Sequence, residues 1–181
     1  MNKLLLVLFL FINFNLSGQS DNEPLSIFEK HHELKLGVIK ILVGPIIEGT
    51  YEYVKDRNMG YGASLLINLN IENDYFEDFS IAPFFRMYFD NDEQYGAKGF
   101  FVETFLSFYS GKNFSEYSDY NQFNNKDDKF FETALGFSVG KKWINHGGFV
   151  LETRFGIGRN LLGNSNFEAV FKGDVSIGYR F

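Results

Sequence analysis

The chain has no cysteine in its 181 residues. That excludes disulfides, thiolate metal sites and the lipid-bearing N-terminal cysteine of bacterial lipoproteins. Proline and histidine are scarce, at three residues each. After the first twenty residues no apolar run reaches the roughly 18 residues of a membrane helix. Positive charge is short as well: 17 Lys and Arg stand against 23 Asp and Glu, for a formal charge of −6. Nucleic acid calls for basic patches, so it is not an expected partner.

What the chain has in abundance is aromatic residues, 19% of the whole with 23 Phe and 10 Tyr, together with 18 Gly. A soluble sandwich seldom needs so many Phe, whereas a barrel whose outer face is solvated by lipid does. The N-terminus reads as a secretory signal over residues 1–19. Lys3 supplies the positive region, Leu4 to Phe14 the apolar core, and Asn15-Leu-Ser-Gly-Gln19 the polar exit, with cleavage expected after Gly18 or Gln19. Residues 20–32, with Pro24 and no clear period, read as a short periplasmic lead-in. Residues 33–181 are left for one β-barrel domain.

The last eleven residues are the most informative. Phe171, Gly173, Val175, Ile177, Tyr179 and Phe181 fall on one face, and Lys172, Asp174, Ser176, Gly178 and Arg180 on the other. A strand tilted across a bilayer needs about 9–11 residues, and this one has that length. It reads as the closing strand of an all-β, antiparallel transmembrane barrel. Seven earlier segments alternate in the same way: 33–42, 46–55, 59–70, 79–90, 97–110, 129–142 and 148–158. The first loses its alternation at Ile39, Ile41 and Leu42, just before a turn at Gly44-Pro45. Pro83 lies inside the fourth and requires a bulge there, because a closed barrel has no edge to accommodate a missing donor. The fifth is apolar on both faces. Eight strands result, the smallest common size for an outer-membrane barrel.

Connections at 56–58, 91–94 and 145–147 are short, and those at 71–78, 111–128 and 159–166 are longer. Only the first outer turn, at Gly44-Pro45, breaks this alternation. Transmembrane barrels pair short periplasmic turns with longer external loops, which places both termini in the periplasm. Trp143, at the end of the sixth strand, suits an interfacial aromatic girdle.

The polar face gathers Glu48, Glu52, Glu103, Glu132, Glu152 and Asp174 with Lys35, Arg86, Arg154, Lys172 and Arg180. Both signs in near balance suit ion pairs in a narrow lumen. At about eight strands the interior is just filled by side chains, so a salt-bridged plug is favoured over an ion or solute path. A lipocalin-like carrier would instead turn the apolar face inward around a greasy ligand.

The closing Gly178-Tyr-Arg-Phe181, with apolar residues at alternate positions before it, resembles the C-terminal signature of outer-membrane barrels. That resemblance implies insertion into outer-membrane lipid and recognition of Ile177, Tyr179 and Phe181 by the barrel-assembly machinery. The segments Tyr51-Glu-Tyr53, Pro83-Phe-Phe-Arg-Met-Tyr-Phe89, Gly99-Phe-Phe-Val-Glu103, Gly140-Lys-Lys-Trp143 and Gly156-Ile-Gly-Arg-Asn-Leu161 are similar to a family of small barrels common in Bacteroidetes. That family has no settled activity; its architecture is of the small OmpA and OmpX type. It therefore implies location and fold only.

Signs of chemistry are few. His31 and His32 precede the predicted barrel and His146 lies in a predicted periplasmic turn, away from any external loop where a lipid-modifying enzyme would need a base beside a Ser. Gly136-Phe-Ser-Val-Gly-Lys141 has one residue too few for a phosphate loop, and Lys142 stands where Ser or Thr is needed. Gly156-Ile-Gly158 lacks the third glycine of a dinucleotide fingerprint. Asp90-Asn-Asp-Glu-Gln-Tyr95 begins like a calcium loop, yet Tyr95 occupies the glycine position. No catalytic residue, metal site or cofactor is expected. The loop 111–128 carries Phe114, Tyr117, Tyr120 and Phe123 among Asn, Ser, Glu and Asp. This composition suits either contacts to a surface partner or glycan, or a short helix packed on the rim. The expected role is structural or surface interaction without catalysis. A soluble apolar-ligand carrier and an enzyme acting on outer-leaflet lipid are the alternatives.

Overall fold

The computed structural model describes residues 27–70, 75–90, 96–112 and 129–181. A 3-10 turn, Ile27–Glu29, leads into eight antiparallel strands: β1 (His32–Gly37), β2 (Ile46–Val54), β3 (Met59–Asn68), β4 (Glu77–Tyr88), β5 (Gly99–Lys112), β6 (Lys129–Ile144), β7 (Phe149–Asn160) and β8 (Ala169–Arg180). Each strand pairs with the next, and β8 pairs back on β1, so the sheet closes. The last strand thus closes on the first, with Leu34 opposite Tyr179 and Leu36 opposite Ile177.

Period-2 alternation places the side chains as parity requires. In β2 the even residues from Ile46 to Val54 point into the barrel and are buried, while Ile47 and Tyr51 stand outside. In β5, the doubly apolar strand, Phe101, Glu103, Phe105 and Tyr109 point inward and Phe100 and Val102 outward. Two glycines of β6 make room for the inward rings. A Cβ at Gly136 would collide with the Phe105 ring, and one at Gly140 with the Phe101 ring. Leu66, the apolar exception on the inner face of β3, is buried there.

Four expectations need correction. The first strand stops at Gly37, and residues Ile39–Val43 form a short helix, α1. The lost alternation at Ile39, Ile41 and Leu42 was this change of period, and the first loop-end connection is therefore long rather than a Gly44-Pro45 turn. No bulge sits at Pro83. The β4–β5 register is the same on both sides of it, and only the ladder pairs at Ala82 and Pro83 are missing. The absent N–H thus costs a local bond without adding a residue. The register shift lies instead between Glu77 and Phe79. Finally, the connection from β4 to β5 runs over residues 89–98, longer than the expected 91–94. Its described part turns inward: Gly96 and Ala97 have positive φ, and Ala97 is fully buried, its N–H bonded to the Arg57 carbonyl at 2.6 Å. This turn closes the barrel at the end that carries the termini.

The interior is layered. At the terminus end Ile27, Ile144 and Val150 pack together, next to a cluster of Val54, Tyr88, Ala97 and Phe101. Toward the opposite, loop end, Phe84, Phe105, Tyr109, Phe130 and Val170 form a second aromatic layer with Phe76 against it. Between and around these layers lie the charged side chains.

Candidate functional site

The polar face of the sequence becomes the interior of the barrel. All eleven predicted lumen residues, Lys35, Glu48, Glu52, Arg86, Glu103, Glu132, Glu152, Arg154, Lys172, Asp174 and Arg180, are buried. The structure does not join them into one network, however, and it adds members that parity reasoning left out.

The centre is a cluster of four acids and four bases: Glu33, Glu52, Glu103 and Glu152 with Lys35, Arg86, Lys142 and Arg180. Seven of the eight strands contribute. The exception, β3, contributes space: a Cβ at Gly60 would come within 2.5 Å of Glu52 Oε1. Register explains why the cluster needs both signs. Glu33 and Glu52 are direct cross-strand partners, an unfavourable like-charge pair on its own. Two ammonium groups bridge them. Lys35 Nζ lies 3.3 Å from Glu33 and 2.6 Å from Glu52, and Lys142 Nζ 2.8 Å and 2.9 Å from the same two carboxylates. Lys35 also reaches Glu152 at 2.6 Å.

Arg86 is the hub on the opposite wall. Its Nε donates to its cross-strand partner Glu103 at 2.5 Å, and Nη1 donates to Glu52 at 2.8 Å and Glu152 at 2.7 Å. Its guanidinium carbon lies 4.4 Å from the centres of both the Phe84 and Phe101 rings. Such stacking suits the flat, weakly hydrated guanidinium better than an ammonium. The Tyr88 hydroxyl donates to the second oxygen of Glu52. Arg180, on the closing strand, holds Glu33 at 2.6 Å and donates to the carbonyls of Gly96 and Ala97 at 3.1 Å each. Closure of the barrel and seating of the inward turn therefore share one side chain.

A second group lies nearer the loop end. Arg154 donates to Glu48 at 2.6 Å and reaches Glu103 at 3.5 Å, while Lys40 of α1 also pairs with Glu48. Lys172 sits 3.4 Å from Glu77 and 3.0 Å from the Ser80 hydroxyl. The space ringed by Ser64, Ala82, Phe84, Glu103, Phe105, Arg154 and Lys172 has no room for a water molecule. That space is thus not a ligand cavity of the kind an inward-facing apolar surface would enclose.

Two predicted members serve the backbone instead. Glu132 accepts N–H bonds from Thr133, Leu162, Asn164 and Ser165, which fastens the loop after β7 to the barrel mouth. Asp174 accepts from the N–H groups of Ile39 and Val175. Their carboxylates end where connecting chain turns over the rim. Conversely, Glu33, Lys142, Tyr88 and Glu77 were missed. Glu33 and Lys142 have the right parity and lie within the first and sixth alternating segments, 33–42 and 129–142, so parity alone could have included them. Glu77 was assigned to a loop because β4 begins two residues earlier than its alternation announces.

On the outside, charge is absent from the middle of every strand. The largest exposed side chains include Leu34, Ile67, Phe79, Phe137, Phe155 and Phe171. Ile177, Tyr179 and Phe181, the expected assembly signal, are on this outer face. The outward Tyr51, Tyr53, Tyr61 and Tyr179 and Trp143 all lie near the terminus end, where Lys141 Nζ sits 5.3 Å over the Trp143 ring. His32 joins this belt, stacking 5.9 Å from the Phe181 ring, and its Nδ1 is 2.8 Å from the Tyr51 hydroxyl. His31 Nδ1 lies 2.7 Å from the Val54 carbonyl oxygen. Phe114, Tyr117, Tyr120 and Phe123 lie outside the described residues, as does the 1–19 segment.

Among the described residues no group of His, Asp and Glu is placed to hold a metal ion. No family model, curated protein or solved structure matches this chain.

Proposed function

We propose that the chain is an integral outer-membrane β-barrel with a side-chain-plugged lumen, acting structurally or through surface contacts and not by catalysis. The observation that carries this reading is the inverted distribution of polarity. Large apolar side chains cover the outside of the closed sheet, while a balanced set of acids and bases fills the inside. In water this arrangement would leave an apolar band far larger than the few hundred Å² a monomer usually exposes. In a bilayer it satisfies every strand, because a closed barrel leaves no edge in hydrocarbon. The Tyr and Trp belt at one end supports the same placement, as does the absence of charge at mid-strand.

With the termini in the periplasm, the connections 38–45, 69–76, 113–128 and 161–168 face outward from the cell. The Tyr-rich loop is then the natural contact for a surface partner or glycan. The interior charges are engaged with one another, which favours a plug over a solute path. The likeness to small Bacteroidetes barrels agrees with this reading and rests on the segments quoted for it. The test is fractionation followed by electrophoresis with and without boiling. A membrane-bound protein whose folded band shifts on heating is expected. A protein found in the soluble periplasm, with unchanged mobility on boiling, would overturn the proposal.

A further inference from the structure

The barrel wall is incomplete at the loop end. The last β1 pairs are Leu36 with Gly49 on one side and Gly37 with Ser176 on the other. Beyond them, Ile46, Ile47 and Glu48 of β2 pair only with β3, and Phe171, Lys172, Gly173 and Asp174 of β8 pair only with β7. Two strand edges therefore face each other without a ladder between them, and α1 lies in the gap against both.

The hold on α1 is polar and thin. None of its five residues is buried, and Ile39, Ile41, Leu42 and Val43 are all exposed. It is fastened by the Lys40–Glu48 ion pair and by the Ile39 N–H, which donates to Asp174 Oδ1 at 3.0 Å. The outward side chains flanking the gap, Ile47 and Phe171, continue the apolar band, so the seam opens toward the same surroundings as the rest of the outer face. Behind it stands an acceptor without a donor. Asp174 is only 6% exposed, and its Oδ2 is buried with no hydrogen-bond partner. That carboxylate lies where β1 ends, over Gly37, which has no room for a Cβ beneath it. A buried carboxylate oxygen is costly to leave unpaired, and the group it lacks is an N–H donor, best a charged one.

We propose that α1 is a lateral lid, and that the seam behind it admits the headgroup of an amine-bearing membrane lipid. The ammonium would donate to Asp174 Oδ2, and the acyl chains would stay outside along Ile47 and Phe171. This inference rests on the membrane placement proposed above. It differs from a solute path because access is from the side, through the wall, and the filled lumen below stays closed.

A reporter is easily placed, because the chain has no cysteine. Ser176→Cys puts one thiol on the inner face at the last β1–β8 pair, opposite Gly37 and two residues from Asp174, at the seam and not in the packed lumen. In phosphatidylcholine vesicles, Lys40→Ala should speed reaction with a lipid-partitioning N-alkyl maleimide about tenfold, the factor that losing one charge-assisted hydrogen bond implies. Glu48 keeps Arg154 in that variant, so the fold survives. A membrane-impermeant sulfonated maleimide should show no gain. Replacing part of the phosphatidylcholine, whose quaternary ammonium has no N–H, by phosphatidylethanolamine should slow the reaction by occupying the site. Asp174→Asn, which keeps shape but loses charge, should abolish that slowing. An unchanged rate in Lys40→Ala overturns the lid, as does an equal gain for both reagents, which would mean access through the mouth. A headgroup effect that persists in Asp174→Asn overturns the site. Flotation of the same vesicles separates the two readings: protein that floats but shows none of these effects sinks the seam alone, and protein that does not float sinks both.

Discussion

Arg86 is the group on which most of the buried cluster converges, and its replacement by Met is the sharpest test of the plug. The side chain is fully buried and donates to Glu52, Glu103 and Glu152 while lying against two phenyl rings. Met keeps much of the volume and the ring contacts but removes the charge. The loss is not shared evenly. Glu52 keeps Lys35, Lys142 and the Tyr88 hydroxyl, and Glu152 keeps Lys35 at 2.6 Å. Glu103 is left with Arg154 at 3.5 Å alone. The central cluster changes from four acids against four bases to four against three. Removing one partner of a buried pair generally costs about 3–5 kcal/mol, because the uncompensated charge stays behind. We expect Arg86→Met to fall in that range, with most of the loss assigned to Glu103. The double variant Arg86→Met/Glu103→Gln should therefore recover at least half of it, an interaction that a double-mutant cycle isolates. The assay is equilibrium unfolding in urea from lipid vesicles, followed by far-UV circular dichroism and by the fluorescence of Trp143, the only tryptophan. A loss below about 1 kcal/mol, typical of an exposed pair, would refute the idea of a dry charge cluster. So would a double variant no more stable than the single one.

Phe137 stands outward near the middle of β6 and is 64% exposed. In a membrane, Phe137→Lys should cost about 2–4 kcal/mol, whereas a water-solvated barrel would tolerate or even favour it; the same urea titration decides. Deleting Phe181 removes the last rung of closure, in which the Phe181 N–H donates to the His32 carbonyl at 2.8 Å and the Phe181 carbonyl accepts from the His32 N–H at 3.1 Å. The heat-modifiable, inserted fraction should fall, and normal amounts of inserted barrel would argue against an assembly signal. Gly140→Ala forces a methyl against the Phe101 ring and the Thr153 carbonyl and should cost about 1–3 kcal/mol, while Gly49→Ala meets nothing nearby and should be neutral within about 0.5 kcal/mol. Equal unfolding midpoints for these two variants would show that the glycines of β6 are not there to seat inward rings.

Strand count, chain order and the inner and outer faces were legible from the sequence because a pleated strand sends alternate side chains to opposite faces. Nothing in a closed antiparallel meander overrides that local rule. That rule sorted the residues from Lys35 to Arg180 onto one face, and the near balance of acids and bases there, with so aromatic-rich an opposite face, pointed it inward. The rule failed where the period changed or an element ran past its alternation. The ragged apolar run at Ile39 to Val43 is a helix, and Glu77 belongs to a strand that begins two residues before its alternation announces. Pairing within the lumen was beyond sequence. Arg154 faces Asp174 across the ladder yet bonds Glu48, more than a hundred residues away, and Glu33 and Glu52 can stand opposite each other only because Lys35 and Lys142 come between them. Alternation along one strand is a property of the backbone and is written in the chain. Which charge meets which depends on strand register, on the shear of the closed barrel and on the room left by glycines such as Gly60. Those are decided only when all eight strands close.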